Sequence, residues 1–165
     1  MYLKQKDIFW TMDTNFVKKI INVSTTESYE QGNLLFQPGD PANQFYILLN
    51  GRIKLVLGET GQTVYIVSHA GEAFGWSSLI DRDTYTASAE CMTTAKLLRF
   101  DKEKVLMILE KDPANGLIFF KRLANILGSR LLHSYKMLST ATQTVASPSF
   151  GTGQVMATTA YELTI

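Results

Sequence analysis

The residues best suited to chemistry lie between Ala70 and Glu90, in the stretch AGEAFGWSSLIDRDTYTASAE. A short helix opening at Gly75 would direct the N–H groups of Ser77 and Ser78 toward a mouth, where its dipole favours an anion. Glycine at 75 would let a ligand approach the backbone closely. Around this turn stand Trp76, Arg82, Asp83, Thr84 and Tyr85. Trp76 accepts no hydrogen bond and offers one indole N–H and a broad apolar face. Three arrangements follow from these residue types. Arg82 can reach a phosphate, with Ser77, Ser78 and Thr84 completing the site. Trp76 and Tyr85 can instead wall a different anion or an aromatic compound held at the helix start. Or Trp76 simply fills the space. Taken singly, Trp76 is a core residue and Arg82 a solvated loop charge; together in one motif they favour a ligand site made of Gly75, Trp76, Ser77, Ser78, Arg82, Thr84 and Tyr85.

Other chemistries find little support. One cysteine, Cys91, and two histidines, His69 and His133, provide neither a disulfide within the chain nor a multi-histidine metal centre. His69 falls in the turn Ser68-His69-Ala70-Gly71, Cys91 reads as a small buried strand residue, and His133 as a solvated one. No histidine–acid pair stands near Ser77 or Ser78, so no catalytic residue is assigned and an enzyme is not expected. No metal and no obligatory cofactor are expected either; the candidate bound species is a small anionic or aromatic effector.

These residues need elements to hold them. Asp13 or Thr14 can cap a helix over Asn15–Ile21, with Phe16, Ile20 and Ile21 at helical spacing. From Thr25 the period changes to two, and glycines at 32, 39, 51, 58, 61, 71 and 75 punctuate short runs such as Gln44–Leu49. Arg52–Leu57 alternates, Gly58-Glu59-Thr60-Gly61 reverses it and Thr63–Val67 returns, with further strands at Thr84–Met92 and Thr94–Phe100. Many short strands without long intervening helices indicate an antiparallel roll or sandwich. Asp101 caps a helix carrying Val105, Leu106, Ile108 and Leu109, and Pro113 suits the first turn of a longer one reaching about Leu138. Along that helix Leu117, Phe120, Ala124, Leu127, Leu131, Ser134 and Leu138 alternate steps of three and four. This heptad seam points to a symmetric helix-to-helix dimer, with Phe119, Ile126 and Leu132 left for contact within the chain.

The 165 residues carry a net charge of +1 and 45% hydrophobic residues, which fits one domain and gives no field that favours nucleic acid or an anionic membrane. No apolar run approaches the roughly 18 residues of a membrane span, and Lys4, Lys6 and Asp7 interrupt any signal-peptide core, so a cytoplasmic protein is expected. Residues 139–165 are rich in serine and threonine with Glu162 as their single charge. They read as a loose tail, with Gln154–Tyr161 able to add an edge strand to a neighbour. Lacking lysine and arginine, they give no expectation of direct DNA binding.

In this order the motifs Gly32-(3)-Phe36-(2)-Gly39-Asp40, Tyr46-Ile47-Leu48-(2)-Gly51 and Gly71-Glu72-(1)-Phe74-Gly75, followed by Ala89, resemble the cyclic-nucleotide-binding domain of the CRP/FNR regulator family. The resemblance covers about Asp7 to Leu138. It implies a mainly β fold with flanking helices: a jelly-roll-like, double-stranded β-helix, the cyclic-nucleotide-binding β-roll, plus a long C-terminal dimerisation helix. The domain would take residues 1–138, with the roll at 25–100 and the C-terminal helices at 101–138, and no helix-turn-helix follows it. Members that bind cyclic nucleotides place a glutamate after the Phe-Gly pair and an arginine opening the next strand. Here Trp76 stands at the first position, and counting back from Ala89 puts Asp83 at the second. The resemblance thus implies an effector-sensing regulatory module whose ligand is not held in the family's usual way, signalling through a homodimer to a protein partner. A transcription regulator with its DNA-binding part supplied elsewhere, or a ligand-free structural dimer module, are the alternatives.

Overall fold

The computed structural model describes residues 8–57, 62–80, 82–141, 149–150 and 154–155. It divides into two compact units, Met1–Ile126 and Leu127–Ile165.

In the first unit, helix α1 spans Thr14–Asn22, and the Asp13 carboxylate caps it by accepting from the Phe16 N–H at 2.9 Å. Strands β1 (Ser24–Tyr29), β2 (Leu34–Phe36), β3 (Gln44–Asn50), β4 (Ile53–Leu57), β5 (Gln62–Val67) and β6 (Ala73–Phe74) follow. A one-turn 3-10 helix, η1 (Trp76–Leu79), precedes β7 (Ser88–Cys91) and β8 (Ala95–Asp101). Two antiparallel sheets result, ordered β1-β8-β3-β6 and β2-β7-β4-β5. The expected turn at 58–61 lies outside the described residues.

Strand β3 explains why the sheets enclose a core. Its register sets Tyr46 opposite Arg99 and Leu48 opposite Leu97. Alternate side chains point to opposite faces. Tyr46 and Leu48 therefore face inward, clustering with Phe36, Ile53, Leu55, Phe74, Ala89 and Leu97. Phe45 faces the helices, its ring 5.7 Å from Phe100 and 6.3 Å from Phe119. An uninterrupted apolar run such as Phe45–Leu49 is what a strand covered on both sides requires.

Helix α2 (Lys102–Lys111) is capped by Asp101, which accepts from the N–H groups of Glu103 and Lys104. Helix α3 runs Pro113–Ala141. The stripe it buries is Gly116, Phe119 and Leu123, with Ile126 half-covered. The structure corrects the intrachain role expected of Leu132, which is 61% exposed. The heptad positions Leu117, Phe120, Ala124, Leu131, Ser134 and Leu138 are exposed and Leu127 is half-covered. In the second unit, β9 (Ser149–Phe150) pairs antiparallel with β10 (Gln154–Val155). That pair stands where a loose tail was expected; the rest of the anticipated strand, 156–161, lies outside the described residues.

Two strand expectations need correction. The strand foreseen at Thr94–Phe100 is shifted by one residue, and the one foreseen from Thr84 begins only at Ser88. The backbone of 83–85 is instead zipped onto the loop before β3. Ala42 N–H donates to the Asp83 carbonyl (2.8 Å), Tyr85 N–H to Asp40 (3.0 Å) and Gly39 N–H to Tyr85 (3.0 Å).

Candidate functional site

Gly75 initiates η1 from a left-handed conformation, φ +75°. A side chain there would be strained by that φ. It would also meet the Gln44 carbonyl oxygen and Tyr46 Cδ2 at 3.1 Å each. The absent Cβ therefore makes room for β3. Within the turn, the Ser78 N–H donates to the Gly75 carbonyl at 3.3 Å and the Ser78 hydroxyl donates to the same oxygen at 2.9 Å. The expected free Ser78 amide is thus spent on closing the 3-10 turn. Ser77 and Ser78 are buried and Trp76 is half-buried.

The loop after η1 divides the other expected site residues. Arg82, Asp83 and Thr84 are exposed. Tyr85, four residues before Ala89, is buried. Its ring stacks on Phe36 at 3.9 Å, and its hydroxyl donates to the Gln44 carbonyl (2.6 Å) and accepts from the Gln44 N–H (3.1 Å). Burial pushes its phenol up to about 12, the bond to Gln44 opposing that shift and the charge of Asp40 adding to it. Tyr46 stacks on Phe74 at 5.2 Å and lies 5.9 Å from Phe36, so four aromatic rings pack together inside the roll. Of the seven expected ligand residues, the structure brings Gly75 and Tyr85 to one point, at Gln44, while Arg82 and Thr84 stay outside it.

Gln44 itself escaped sequence reading. Its backbone is clasped by the Tyr85 hydroxyl, and its side-chain Oε1 is buried with no hydrogen-bond partner among the described residues. The signal available was an amide heading a strand whose next five residues, Phe45–Leu49, form an unbroken aromatic and aliphatic run. Tyr46 and Phe36 were also passed over as site residues, although both stand in the quoted motifs.

The remaining candidates sit as their types suggest. The His69 side chain is 65% exposed, and Glu72 fastens its turn by accepting from the N–H groups of Ser68 (2.8 Å) and His69 (2.9 Å). Cys91 is buried, and burial, followed by the charge of Glu90, raises its thiol above the ordinary range. Among the described residues, no group of three histidines, cysteines or carboxylates could hold a metal, and no helix is long and apolar enough to cross a membrane.

η1 touches both β3 and α2. A displacement of this buried turn would therefore be felt by both the roll and the helices.

Comparison with known proteins agrees with this architecture. A family model described as cyclic nucleotide-binding domain matches residues 26–112, just over half of the chain. The cAMP-dependent protein kinase regulatory subunit of Schizosaccharomyces pombe is 30% identical over 100 residues, which are 61% of this chain and 24% of that protein. The catabolite activator protein of Thermus thermophilus superposes with a TM-score of 0.66 at 25% identity, over 82% of this chain and 62% of that one. A cyclic nucleotide-binding domain from Methylobacillus flagellatus shares the fold with a TM-score of 0.72 at 22% identity, over 81% of this chain and 76% of that one. The chain spans between 13% and 51% of the length of the first curated relatives it matches. The two facing sheets, the glycine-opened turn between β6 and β7, and the matched span together place the chain in the cyclic nucleotide-binding domain family, in its CRP/FNR-like β-roll form.

Proposed function

We propose that this chain is an effector-sensing regulatory module whose roll binds a small aromatic or anionic molecule beside η1 and reports through α2 and α3. The observation that carries the reading is the buried, unpartnered Oε1 of Gln44. Buried polar atoms are nearly always hydrogen-bonded. A buried acceptor on Gln44, whose backbone lies against Gly75 and Tyr85, is suited to an N–H or O–H donor of a planar ligand, of which a nucleobase is one instance. A cyclic nucleotide in a non-standard mode fits that description. The family's usual mode has less support, because Trp76 follows the Phe-Gly pair and the buried side chain of the next segment is the phenol of Tyr85. A charge-assisted arginine–phosphate bond contributes about 1.5–3 kcal/mol, so forgoing it weakens phosphate binding by roughly ten- to a hundredfold.

Signalling in this reading uses the contacts of η1 with β3 and α2, and dimerisation uses the exposed seam of α3. An exposed apolar stripe of this length is what a partner helix covers. The names of the relatives, a kinase regulatory subunit and a catabolite activator, agree with a module that acts on another domain or chain. DNA reading, where the module serves it, is assigned to that other part, and no catalysis to this one.

The test is calorimetry and thermal shift against cyclic AMP, cyclic GMP, other nucleotides and small aromatic acids, on the wild type and on Gln44→Leu. A ligand that stabilises the wild type and loses its effect in the variant supports the reading. Absence of stabilisation across the panel favours the second reading, a structural dimer module, for which the self-satisfied Tyr85–Gln44 clasp already speaks.

A further inference from the structure

Outside the roll, on the other flank of η1, a cleft of about 490 Å³ opens where α2 turns into α3. All of its lining belongs to the first unit. Its depth comes from Leu79 and Leu109, both buried, and from Gly116, where a Cβ would stand 2.7 Å from the Leu109 carbonyl oxygen. Gly116 lets the two helices close tightly, and nothing larger than hydrogen can fill the floor. Leu117, 57% exposed, and Phe120, 38% exposed, form the lip.

The polar groups at the rim are not symmetric. Lys102 lines the end where α2 begins and Glu110 lines the other. Eight helical steps separate them, roughly 12 Å at about 1.5 Å per step. Leu106 and Leu109 lie between. The cleft thus has a cationic end, an apolar trough and an anionic far end, a volume within the range of small-molecule sites, and few polar groups to fix orientation.

We propose that this cleft binds an acidic amphiphile, with its carboxylate on the Lys102 ammonium and an apolar body lying over Leu106, Leu109 and Phe120. A chain of roughly ten carbons matches the ~12 Å between the charged ends. The carboxylate at Lys102 keeps its distance from Glu110, whereas the reverse orientation would set like charges together. Because Leu79 of η1 is part of the wall, the occupant bears on the same turn that the roll contacts from within. Binding here stands apart from the proposed roll effector and would survive failure of that reading.

The experiment is isothermal titration calorimetry of the full chain with decanoate below its micelle concentration, beside decanol and decylamine, on the wild type, Lys102→Met and Leu117→Asp. The expected result is one decanoate per chain, with decanol and decylamine binding at least threefold more weakly. Lys102→Met should lose roughly three- to tenfold in decanoate affinity, in line with an exposed to charge-assisted pair. Leu117→Asp, which sets a carboxylate in the path of the chain, should abolish binding. Circular dichroism confirms that both variants fold, and Gln44→Leu should bind decanoate as the wild type does. Equal affinity for decanoate and decanol with no effect of Lys102→Met would overturn the proposal, as would several ligands per chain or none. Dissociation of a dimer by decanoate would overturn it too, since the cleft would then belong to a second copy.

Discussion

On its β3 side, η1 meets Gly75, Tyr46 and the Tyr85–Gln44 clasp: rings in contact, hydrogen bonds closed, one amide oxygen left over. On its α2 side the same turn borders an open trough with apolar residues at the lip and unlike charges at its ends. The difference shows how one small element serves two kinds of surface. Inside the roll, the chain packs its own rings on one another and bonds the Tyr85 hydroxyl to Gln44. Outside, it leaves the contacts unmade. Substitutions on either side can break that contrast or make it sharper.

The largest effect is expected from Phe36→Ala. Phe36 stacks on Tyr85 and touches Tyr46 and Phe74, so its loss leaves a cavity within the aromatic set. Urea unfolding should register a destabilisation of about 3–5 kcal/mol. A loss under about 1 kcal/mol would show that the four rings do not act as one packed unit. Next comes Gly116→Ala on the cleft side. Its Cβ would press the Leu109 carbonyl oxygen at 2.7 Å, and backbone cannot swing aside as a side chain can. Overpacking of this kind costs about 1–3 kcal/mol, against which the better helix propensity of alanine returns up to about 1. A net gain in stability would mean that the α2–α3 elbow is looser than its geometry implies.

Tyr85→Phe is milder. It keeps the stack on Phe36 and removes only the hydroxyl, leaving the Gln44 N–H and carbonyl without that partner. The expected loss is about 1–3 kcal/mol at neutral pH. The pH dependence carries a sign. The phenol rises from an ordinary 10.0 to about 12 in the folded state, so between those values the folded chain holds a proton that the unfolded chain has released. Stability is then complete below pH 10 and declines as pH rises toward 12. Tyr29, likewise raised to about 12 by burial and by its bond to Glu27, contributes in the same sense. Unfolding midpoints measured from pH 8 upward should fall less steeply in Tyr85→Phe than in the wild type. Parallel slopes would refute the buried-phenol account.

Much of the scaffold could be read directly from residue types. Asp13, Asp101 and Pro113 announce helix starts through local hydrogen bonding and a fixed φ, which need no tertiary information. The strand runs from Gln44 to Val67 declare themselves by apolar content and by glycine punctuation. Two features resisted. The segment at 83–85 folds onto 39–42 through backbone bonds between residues some forty positions apart. No local pattern encodes that pairing, and a count back from Ala89 looked for charge at Asp83 when the buried side chain is Tyr85. On α3, the covered stripe Gly116, Phe119, Leu123 and the exposed stripe Leu117, Phe120, Ala124 have the same spacing, one residue apart. Periodicity identifies an amphipathic face and is silent about which of two adjacent stripes the chain covers itself.

Leu117→Ser asks which partner the exposed stripe serves, and it should disturb the fold least. Leu117 is 57% exposed, so the change should alter stability by no more than about 0.5 kcal/mol. Two consequences then separate. As part of a dimer seam running to Leu138, Leu117 contributes apolar area to the partner helix, and its loss should weaken self-association in sedimentation equilibrium. As the lip of the cleft, it should leave self-association unchanged and reduce decanoate affinity alone. Its position argues for the second: Leu117 and Phe120 border the same trough as Leu79 and Leu106, whereas Leu131 and Leu138, 50% and 60% exposed, have no place in that lining. A dimer built on α3 would accordingly draw on the stretch from Ala124 onward, and Leu131→Ser should weaken association where Leu117→Ser does not.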